Sequence, residues 1–199
     1  MLVYIEGGSD TNGKVNAEFR HAFHEIFSNA GITKPPKVIM AKAQMVGKFV
    51  RSYKKDNDAL LLLDSEMNVK GDEDKTDALR RFIQNVKKRK DWDENSDEIP
   101  EDRIHFMVAC MESWFIADVD TIQTYFGIGK EKIQDWQDVE IIDKDKILDT
   151  LKKIAGESPK KKYSKTRDAT KLLRRTNPLV VKEKAYFCDR FLKFLINYS

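Results

Sequence analysis

The sequence predicts an α/β fold in which a mostly parallel central sheet is flanked by helices and followed by a helical C-terminal extension. Short apolar runs alternate along the chain with longer segments whose apolar residues recur every three or four positions, and this alternation is typical of strands followed by helices. The run at residues 59–63 is apolar at every position, which indicates a central strand buried on both faces of a parallel sheet. A length of 199 residues suits one domain of ordinary size and is too short for two full-sized ones.

The predicted elements of the first half follow one another in a regular order. The first strand stops at Gly7 and Gly8, and the helix after it has an apolar side and ends at Gly31. Two consecutive prolines then lead into the second strand. Together the patterns predict strands at 2–5, 37–40, 59–63 and 104–110, and helices at 16–30, 44–53, 77–90 and from 111 onward.

The remainder of the chain is marked by two charged segments. Residues 91–102 carry seven acidic residues and no basic one, so we predict an exposed loop there. Residues 152–175 carry ten Lys or Arg and two acidic residues, and further helices are predicted at 121–126, 143–154 and 181–197. We therefore divide the chain into an α/β core, residues 1–120, and a helical, basic C-terminal extension, residues 121–199, packed on that core.

The composition excludes several classes of protein. The longest aliphatic run has five residues, whereas a membrane-spanning helix needs about 20, so no membrane partner is expected. No secretory signal is visible at the N-terminus, which predicts a cytoplasmic protein. The two cysteines, Cys110 and Cys188, lie in apolar surroundings, which favours reduced and buried thiols over a disulfide or a zinc site.

Acidic residues follow the predicted strands at the edge where parallel α/β sheets bind their ligands. Carboxylates crowded at one edge repel each other unless a cation lies between them, and an all-oxygen ligand set favours Mg²⁺ or Mn²⁺. The same residues could instead cap the helices that follow the strands, and the sequence leaves that alternative open. The candidate metal ligands are Glu6, Asp10, Asp64, Glu66 and Glu112.

Two of these acidic segments resemble the motifs of the Toprim domain, which are a Glu-Gly loop and an Asp-x-Asp pair. The segments are EGGSD at residues 6–10 and DSE at residues 64–66. Residues 111–118 and 163–166, followed by an apolar-patterned tail, are most similar to a family of small stand-alone Toprim-like proteins related to the overcoming-lysogenization-defect nucleases. The resemblance covers nearly the whole chain.

The resemblance implies a Rossmann-like Toprim fold and three candidate catalytic residues. It makes Glu6 a metal ligand or general acid/base, and it makes Asp64 and Glu66 the pair that holds the metal. Glu66 stands where the Toprim pattern has Asp, so its carboxylate is displaced by one methylene group. Metal held by such carboxylates can polarise a phosphoryl oxygen and activate water, as phosphodiester hydrolysis requires.

The resemblance also implies partners. Similar proteins are often encoded beside ATP-binding-cassette-type ATPases in bacterial phage-defence loci. It therefore implies a metal-dependent nuclease that acts as the effector subunit of an antiviral, abortive-infection complex with a separate ATPase. The sequence leaves the choice between DNA and RNA open, and a homo-oligomer stays an alternative to a monomer.

Basic residues supply the cations that a nucleic acid needs. Lys165 and Arg167 are the preferred phosphate contacts, because they lie in or next to the family-like segment. The alternative is a solvated basic linker and helix face. The candidate nucleic-acid-binding residues are Lys160, Lys161, Lys162, Lys165, Arg167 and Lys171, with Arg174 and Arg175 beside them and Lys42, Lys48 and Arg51 as weaker candidates.

Two further functions are compatible with the same acids. A catalytically weak Toprim-like regulatory or assembly subunit would retain the acidic pocket while docked on the ATPase, and the glutamate at position 66 favours this alternative. A phosphoacceptor receiver domain also gathers acids at strand ends. The long C-terminal extension and the loop at Glu6 and Gly7 argue against a receiver domain.

Overall fold

A four-stranded, all-parallel sheet forms the centre of the molecule. The computed structural model describes residues 1–8, 12–41, 44–93, 98–159 and 162–198. Its strands are β1 (Leu2–Glu6), β2 (Lys37–Ala41), β3 (Ala59–Asp64) and β4 (Ile104–Met107), arranged in the order β2-β1-β3-β4. The parallel sheet and its helical cover confirm the predicted α/β, Rossmann-like fold.

Both faces of this sheet are covered, as the apolar run of β3 predicts. Alternate side chains of a strand point to opposite faces, so Leu60 and Leu62 pack on one side while Leu61 and Leu63 pack on the other. All four are fully buried. β1 and β3 are the two inner strands of the sheet and pair with each other in parallel.

Nine helices surround the sheet in the described parts of the chain. Several begin with a side chain that accepts backbone N–H bonds, such as Asn12, Asp118 and Ser164, which satisfies donors that the first turn leaves free. The helices are α1 (Gly13–Asn29), α2 (Met45–Asp56), α3 (Lys75–Lys87), α4 (Glu112–Ala117), α5 (Val119–Phe126), α6 (Lys144–Gly156), α7 (Lys165–Leu173), α8 (Pro178–Lys184) and α9 (Tyr186–Tyr198).

The C-terminal helices share one apolar core with α1 and a face of the sheet. Phe23 of α1 meets Trp114 of α4 with ring centroids 6.5 Å apart, and Phe27 meets Phe191 of α9 at 6.0 Å. Cys110 and Cys188 are free and buried in this core, as predicted. The boundary at residue 120 itself stays a prediction.

The fourth strand and the last helix differ from their predicted bounds for reasons that the contacts show. The fourth strand was expected to reach residue 110, but it ends at Met107 because Ala109 has a left-handed backbone with φ of 59° and donates its N–H to Ser65 Oγ at 2.8 Å. The last helix was expected to be continuous from 181 to 197. It is divided at Ala185, whose backbone is extended, because the buried carboxylate of Glu140 accepts the N–H of Phe187 at 2.8 Å.

The acidic loop is less exposed than its composition predicts. Trp92 and Ile99 are buried against the face of the sheet that α2 and α3 cover, so apolar residues anchor the loop at both ends. Residues 94–97 lie outside the described residues. No helix in the described segments has the length and apolar character needed to cross a membrane.

Candidate functional site

Two of the predicted catalytic acids lie at the ends of neighbouring strands. Glu6 is the last residue of β1, Asp64 is the last residue of β3, and these strands are paired in parallel. Both side chains line one cavity of about 560 Å³, which we call the strand-end cavity. Its other described lining residues are Gly7, Gly8, Asn12, Val15, Phe19, Met40, Met111 and Lys165.

The glycines after β1 shape one wall of this cavity. Gly8 has φ of 76°, a left-handed conformation that glycine adopts without the steric cost of a side chain. A Cβ placed there would lie 2.2 Å from the Asn16 side-chain oxygen. Any other residue at position 8 would therefore displace the Asn16 side chain and strain the left-handed backbone.

Glu6 is held by a cation from a distant part of the chain. Arg89, which follows α3, donates to both carboxylate oxygens of Glu6 at 2.9 and 3.1 Å, and it also donates to Asp91 at 3.3 Å. This fork-to-fork pair fixes the orientation of the Glu6 carboxylate and neutralises its charge. Glu6 therefore lines the cavity with both of its carboxylate oxygens hydrogen-bonded to Arg89.

Asp64 is held by the backbone instead. Its Oδ1 accepts the N–H of Met111 at 2.8 Å, just before α4 begins. Burial and the negative charge of Glu112 together raise the pKa of Asp64 to about 7, against the opposing charges of Lys165 and Lys144. A positive charge close to Asp64 would therefore stabilise the ionised form of its buried carboxylate.

Glu112 and Lys165 form a charged pair beside Asp64. Glu112 is fully buried, and its Oε1 accepts from the Tyr163 hydroxyl at 3.2 Å and lies 3.3 Å from Lys165 Nζ. Its Oε2 is buried without a hydrogen-bond partner within the described segments. Burial lowers the pKa of Lys165, but the charges of Glu112 and Asp64 outweigh that effect and raise the pKa above its usual value. Lys165 therefore carries a stable positive charge at the cavity.

Glu66 lies apart from the other two predicted catalytic residues. The chain leaves the strand after Asp64, and Glu66 has a left-handed backbone with φ of 60°. Its carboxylate forms an ion pair with Lys144 at the start of α6 and lines a separate surface groove of about 770 Å³. Glu66 is not among the described residues that line the strand-end cavity.

The candidate acids that the structure describes do not form a dense metal-binding cluster. Among the described residues, no group of three or more His, Cys, Asp or Glu side chains is close enough to hold a metal ion. Asp10 lies outside the described residues. Glu66 and Glu112 are not among the described residues that line the strand-end cavity, whereas Glu6 and Asp64 are.

A protein-family model covers nearly the whole chain, including the described residues that line the strand-end cavity. A family model described as "Domain of unknown function (DUF4276)" matches residues 5–196. The chain belongs to the DUF4276 family. Comparison with curated proteins and with solved structures found no match. The matched range of the DUF4276 domain includes Glu6, Asp64, Arg89, Glu112 and Lys165.

The predicted nucleic-acid-binding residues of the DUF4276 domain are in different situations. Lys165 lines the strand-end cavity, whereas Arg167 is used locally, since it donates to Asp168 at 2.9 and 3.0 Å and to the carbonyl of Lys162. Lys171 lines a second cavity further along α7. Lys162, Lys48 and Arg51 are exposed, and Lys160, Lys161 and Lys42 lie outside the described residues.

Three residues of the site were missed by sequence reasoning. Arg89 stands in a run of four basic residues, and nothing in that run distinguishes it from its neighbours. Lys144 is the first residue of α6 and carries no local signal of its contact with Glu66. Tyr163 stood in the family-like segment, and its position two residues before Lys165 was the one available signal.

Proposed function

We propose that this DUF4276 protein is a metal-dependent, Toprim-type nuclease that hydrolyses phosphodiester bonds in the strand-end cavity. The observation that carries the proposal is the arrangement of Glu6 and Asp64, which come from adjacent parallel strands and line one cavity together with the cationic Lys165. Carboxylates suit a divalent cation, and an ammonium group suits a phosphate oxygen. A phosphodiester with its metal is the ligand that needs both.

The carboxylates that face the cavity fit a hard cation. Mg²⁺ is commonly bound by one or two carboxylates and keeps waters and substrate phosphate oxygens as its other ligands, so a cluster of three protein ligands is not required. Glu6 and Asp64 would hold Mg²⁺ or Mn²⁺, and Asp10 is a further candidate, whereas Glu66 lines the neighbouring groove. Such a cation supplies Lewis acidity toward a phosphoryl oxygen and lowers the pKa of bound water.

The protein's own residues position and neutralise the substrate. Lys165 is held by Glu112 and so presents its charge to a phosphate group without free rotation of a long side chain. The Met111 N–H orients Asp64, and Arg89 orients Glu6. The apolar wall from Val15, Phe19 and Met40 excludes water from one side of the cavity.

The biological setting is also part of the proposal. Similarity to Toprim-like proteins from phage-defence loci supports a cytoplasmic effector subunit that works with a separate ATP-binding-cassette-type ATPase. The DUF4276 assignment is compatible with that role and assigns no activity of its own.

A cleavage assay with isosteric variants tests the activity. We expect Glu6→Gln and Asp64→Asn to reduce Mn²⁺-dependent cleavage of bis(4-nitrophenyl) phosphate and of a labelled oligonucleotide by about 100-fold or more, because each removes one charged ligand. Glu66→Gln is the matched control, since it removes one carboxylate from the neighbouring groove. Full activity in both cavity variants would refute the nuclease.

A regulatory or assembly subunit is the second candidate. The observation that favours it is that cations already neutralise Glu6 and Glu66, through Arg89 and Lys144. Phage protection separates the two functions when the chain is expressed with its ATPase. Equal protection by the wild type and by a Glu6→Gln/Asp64→Asn double variant would favour the assembly subunit.

A further inference from the structure

A second cavity lies further along the same two helices that line the strand-end cavity. It measures about 320 Å³ and is lined by Glu25 of α1 and by Lys171, Arg174 and Arg175 at the end of α7. We call it the basic groove. Three cations and one carboxylate line it, so its net charge is positive.

The cations of the basic groove differ from the other basic residues of the same segment. Lys165 and Arg167 are engaged by the buried carboxylates of Glu112 and Asp168. Lys171, Arg174 and Arg175 are exposed, and none of the three forms an ion pair with another described residue. Proximity to the C-terminal end of α7 stabilises cations through the helix dipole, but that effect does not require three of them to line one concave surface.

Arg175 is fixed in place by an aromatic side chain. Its guanidinium lies 5.3 Å from the centre of the Tyr125 ring, and its backbone carbonyl accepts the hydroxyl of Thr121 at 2.9 Å. A guanidinium stacked in this way keeps its N–H donors free for a phosphate group. The groove therefore contains at least one cation whose position is set before any ligand binds.

The strand-end cavity and the basic groove are separated by the same number of residues on α1 and on α7. On α1 the separation is from Phe19 to Glu25, and on α7 it is from Lys165 to Lys171, which is six residues in each case. Six residues of helix span about 9 Å. A polynucleotide strand of a few nucleotides is long enough to span that distance.

We infer that the basic groove binds the phosphate backbone of a polynucleotide whose scissile phosphate lies in the strand-end cavity. This inference rests on the proposed nuclease function and deepens it, because it makes the substrate a polynucleotide rather than a mononucleotide or a small phosphodiester. A small phosphodiester needs only the strand-end cavity. A strand several nucleotides long also reaches the cations of the basic groove.

The test is oligonucleotide binding in the absence of metal, so that no cleavage takes place. Fluorescence anisotropy with a labelled 15-nucleotide single strand in EDTA compares the wild type with a Lys171→Gln/Arg174→Gln double variant, which leaves Arg175 on Tyr125. We expect about tenfold weaker binding at low salt and a slope of log K against log salt that is smaller by about 1.4, which is the loss of two phosphate contacts on a single strand. The matched control, Lys34→Gln/Lys55→Gln, removes two exposed lysines outside both cavities.

The outcomes separate this inference from the proposed activity. Equal binding by the wild type and the groove variant, equal losses in the groove and control variants, or no binding by the wild type would each overturn the basic groove as a strand-binding site. Cleavage of bis(4-nitrophenyl) phosphate with Mn²⁺ is expected to be unchanged in the groove variant and lost in Asp64→Asn. If cleavage of the small diester follows this pattern while the groove variant binds the oligonucleotide as the wild type does, the proposed nuclease activity is supported and the basic groove is refuted as a strand-binding site.

Discussion

Both carboxylate oxygens of Glu6 accept hydrogen bonds from Arg89, and this one contact governs how strongly Glu6 can bind a metal. A cation and a guanidinium compete for the same oxygens, and the positive charge of Arg89 also repels a divalent ion. Sequence reasoning identified Glu6 from its place at the end of a strand, but its partner lies 83 residues away. No local pattern encodes such a pair.

We therefore predict that Arg89→Ala binds Mn²⁺ about fivefold or more tightly than the wild type, as measured by isothermal titration calorimetry. Lys90→Ala is the matched control, because it removes the same charge from the adjacent residue, which is exposed. An affinity in Arg89→Ala that is unchanged or weaker would mean that Arg89 supports the metal site instead of competing with it.

At the scale of secondary-structure elements, α7 presents Lys165 to the cavity, and a buried carboxylate anchors its first turn. Asp168 accepts the Tyr125 hydroxyl at 2.7 Å, the Ser164 N–H at 2.7 Å and two bonds from Arg167. Removing the carboxylate deletes the bonds from the Tyr125 hydroxyl, the Ser164 N–H and Arg167 at once, within a buried site.

We expect Asp168→Ala to lower the free energy of unfolding by about 2–4 kcal/mol, measured by urea denaturation followed by circular dichroism. Asp149→Ala is the control, because Asp149 is exposed and forms a helix-surface pair with Lys152 that contributes little to stability. A loss in Asp168→Ala no larger than in the control would show that α7 is held by its apolar side alone.

The sequence predicted the elements better than their ends. Short apolar runs located the four strands, because both faces of the sheet are covered and most strand residues are buried and apolar. The end of β4 at Met107 and the turn at Glu66 depend on left-handed residues that are not glycine, and these carry no compositional signal. Asp64 could be placed in the cavity from the sequence, because ligands bind at the carboxyl ends of parallel strands. The turn that directs Glu66 toward Lys144 could not, because it depends on the left-handed backbone of Glu66.

At the scale of the whole molecule, the buried residue Glu140 connects three distant parts of the chain. Its backbone carbonyl accepts the N–H of Val69, and its carboxylate accepts from Lys75 at 3.1 Å and from the Phe187 N–H at 2.8 Å. Burial raises the pKa of Glu140 to about 7, while Lys75 and the Phe187 N–H oppose that rise. The stability of the fold is therefore coupled to pH through this group.

The sign of the coupling follows from the raised pKa. Between about pH 4.5 and 7 the folded protein keeps a proton on Glu140 that the unfolded chain has released, so the free energy of unfolding falls as pH rises through this window. Glu140→Gln can still accept the Phe187 N–H and has no proton to lose. We expect thermal unfolding from pH 5 to 7.5 to show a decline in Tm for the wild type that is smaller in Glu140→Gln.

The control for this pH dependence is Glu157→Gln, since Glu157 is an exposed carboxylate paired with Lys132 at 3.7 Å. Its Tm should follow that of the wild type across the range. Parallel curves for the wild type and Glu140→Gln would show that Glu140 titrates at its ordinary pKa in the folded protein.

The most direct test of the proposed site is Mn²⁺ binding by calorimetry on the wild type, Glu6→Gln, Asp64→Asn and Glu66→Gln. We predict that the wild type and Glu66→Gln bind the ion with similar affinity, because Glu66 faces the neighbouring groove. Glu6→Gln and Asp64→Asn should each lose about 100-fold or more, because each removes one of the two carboxylates that line the strand-end cavity among the described residues. Wild-type affinity in both cavity variants, or no Mn²⁺ binding by the wild type, would contradict a metal site at the ends of β1 and β3.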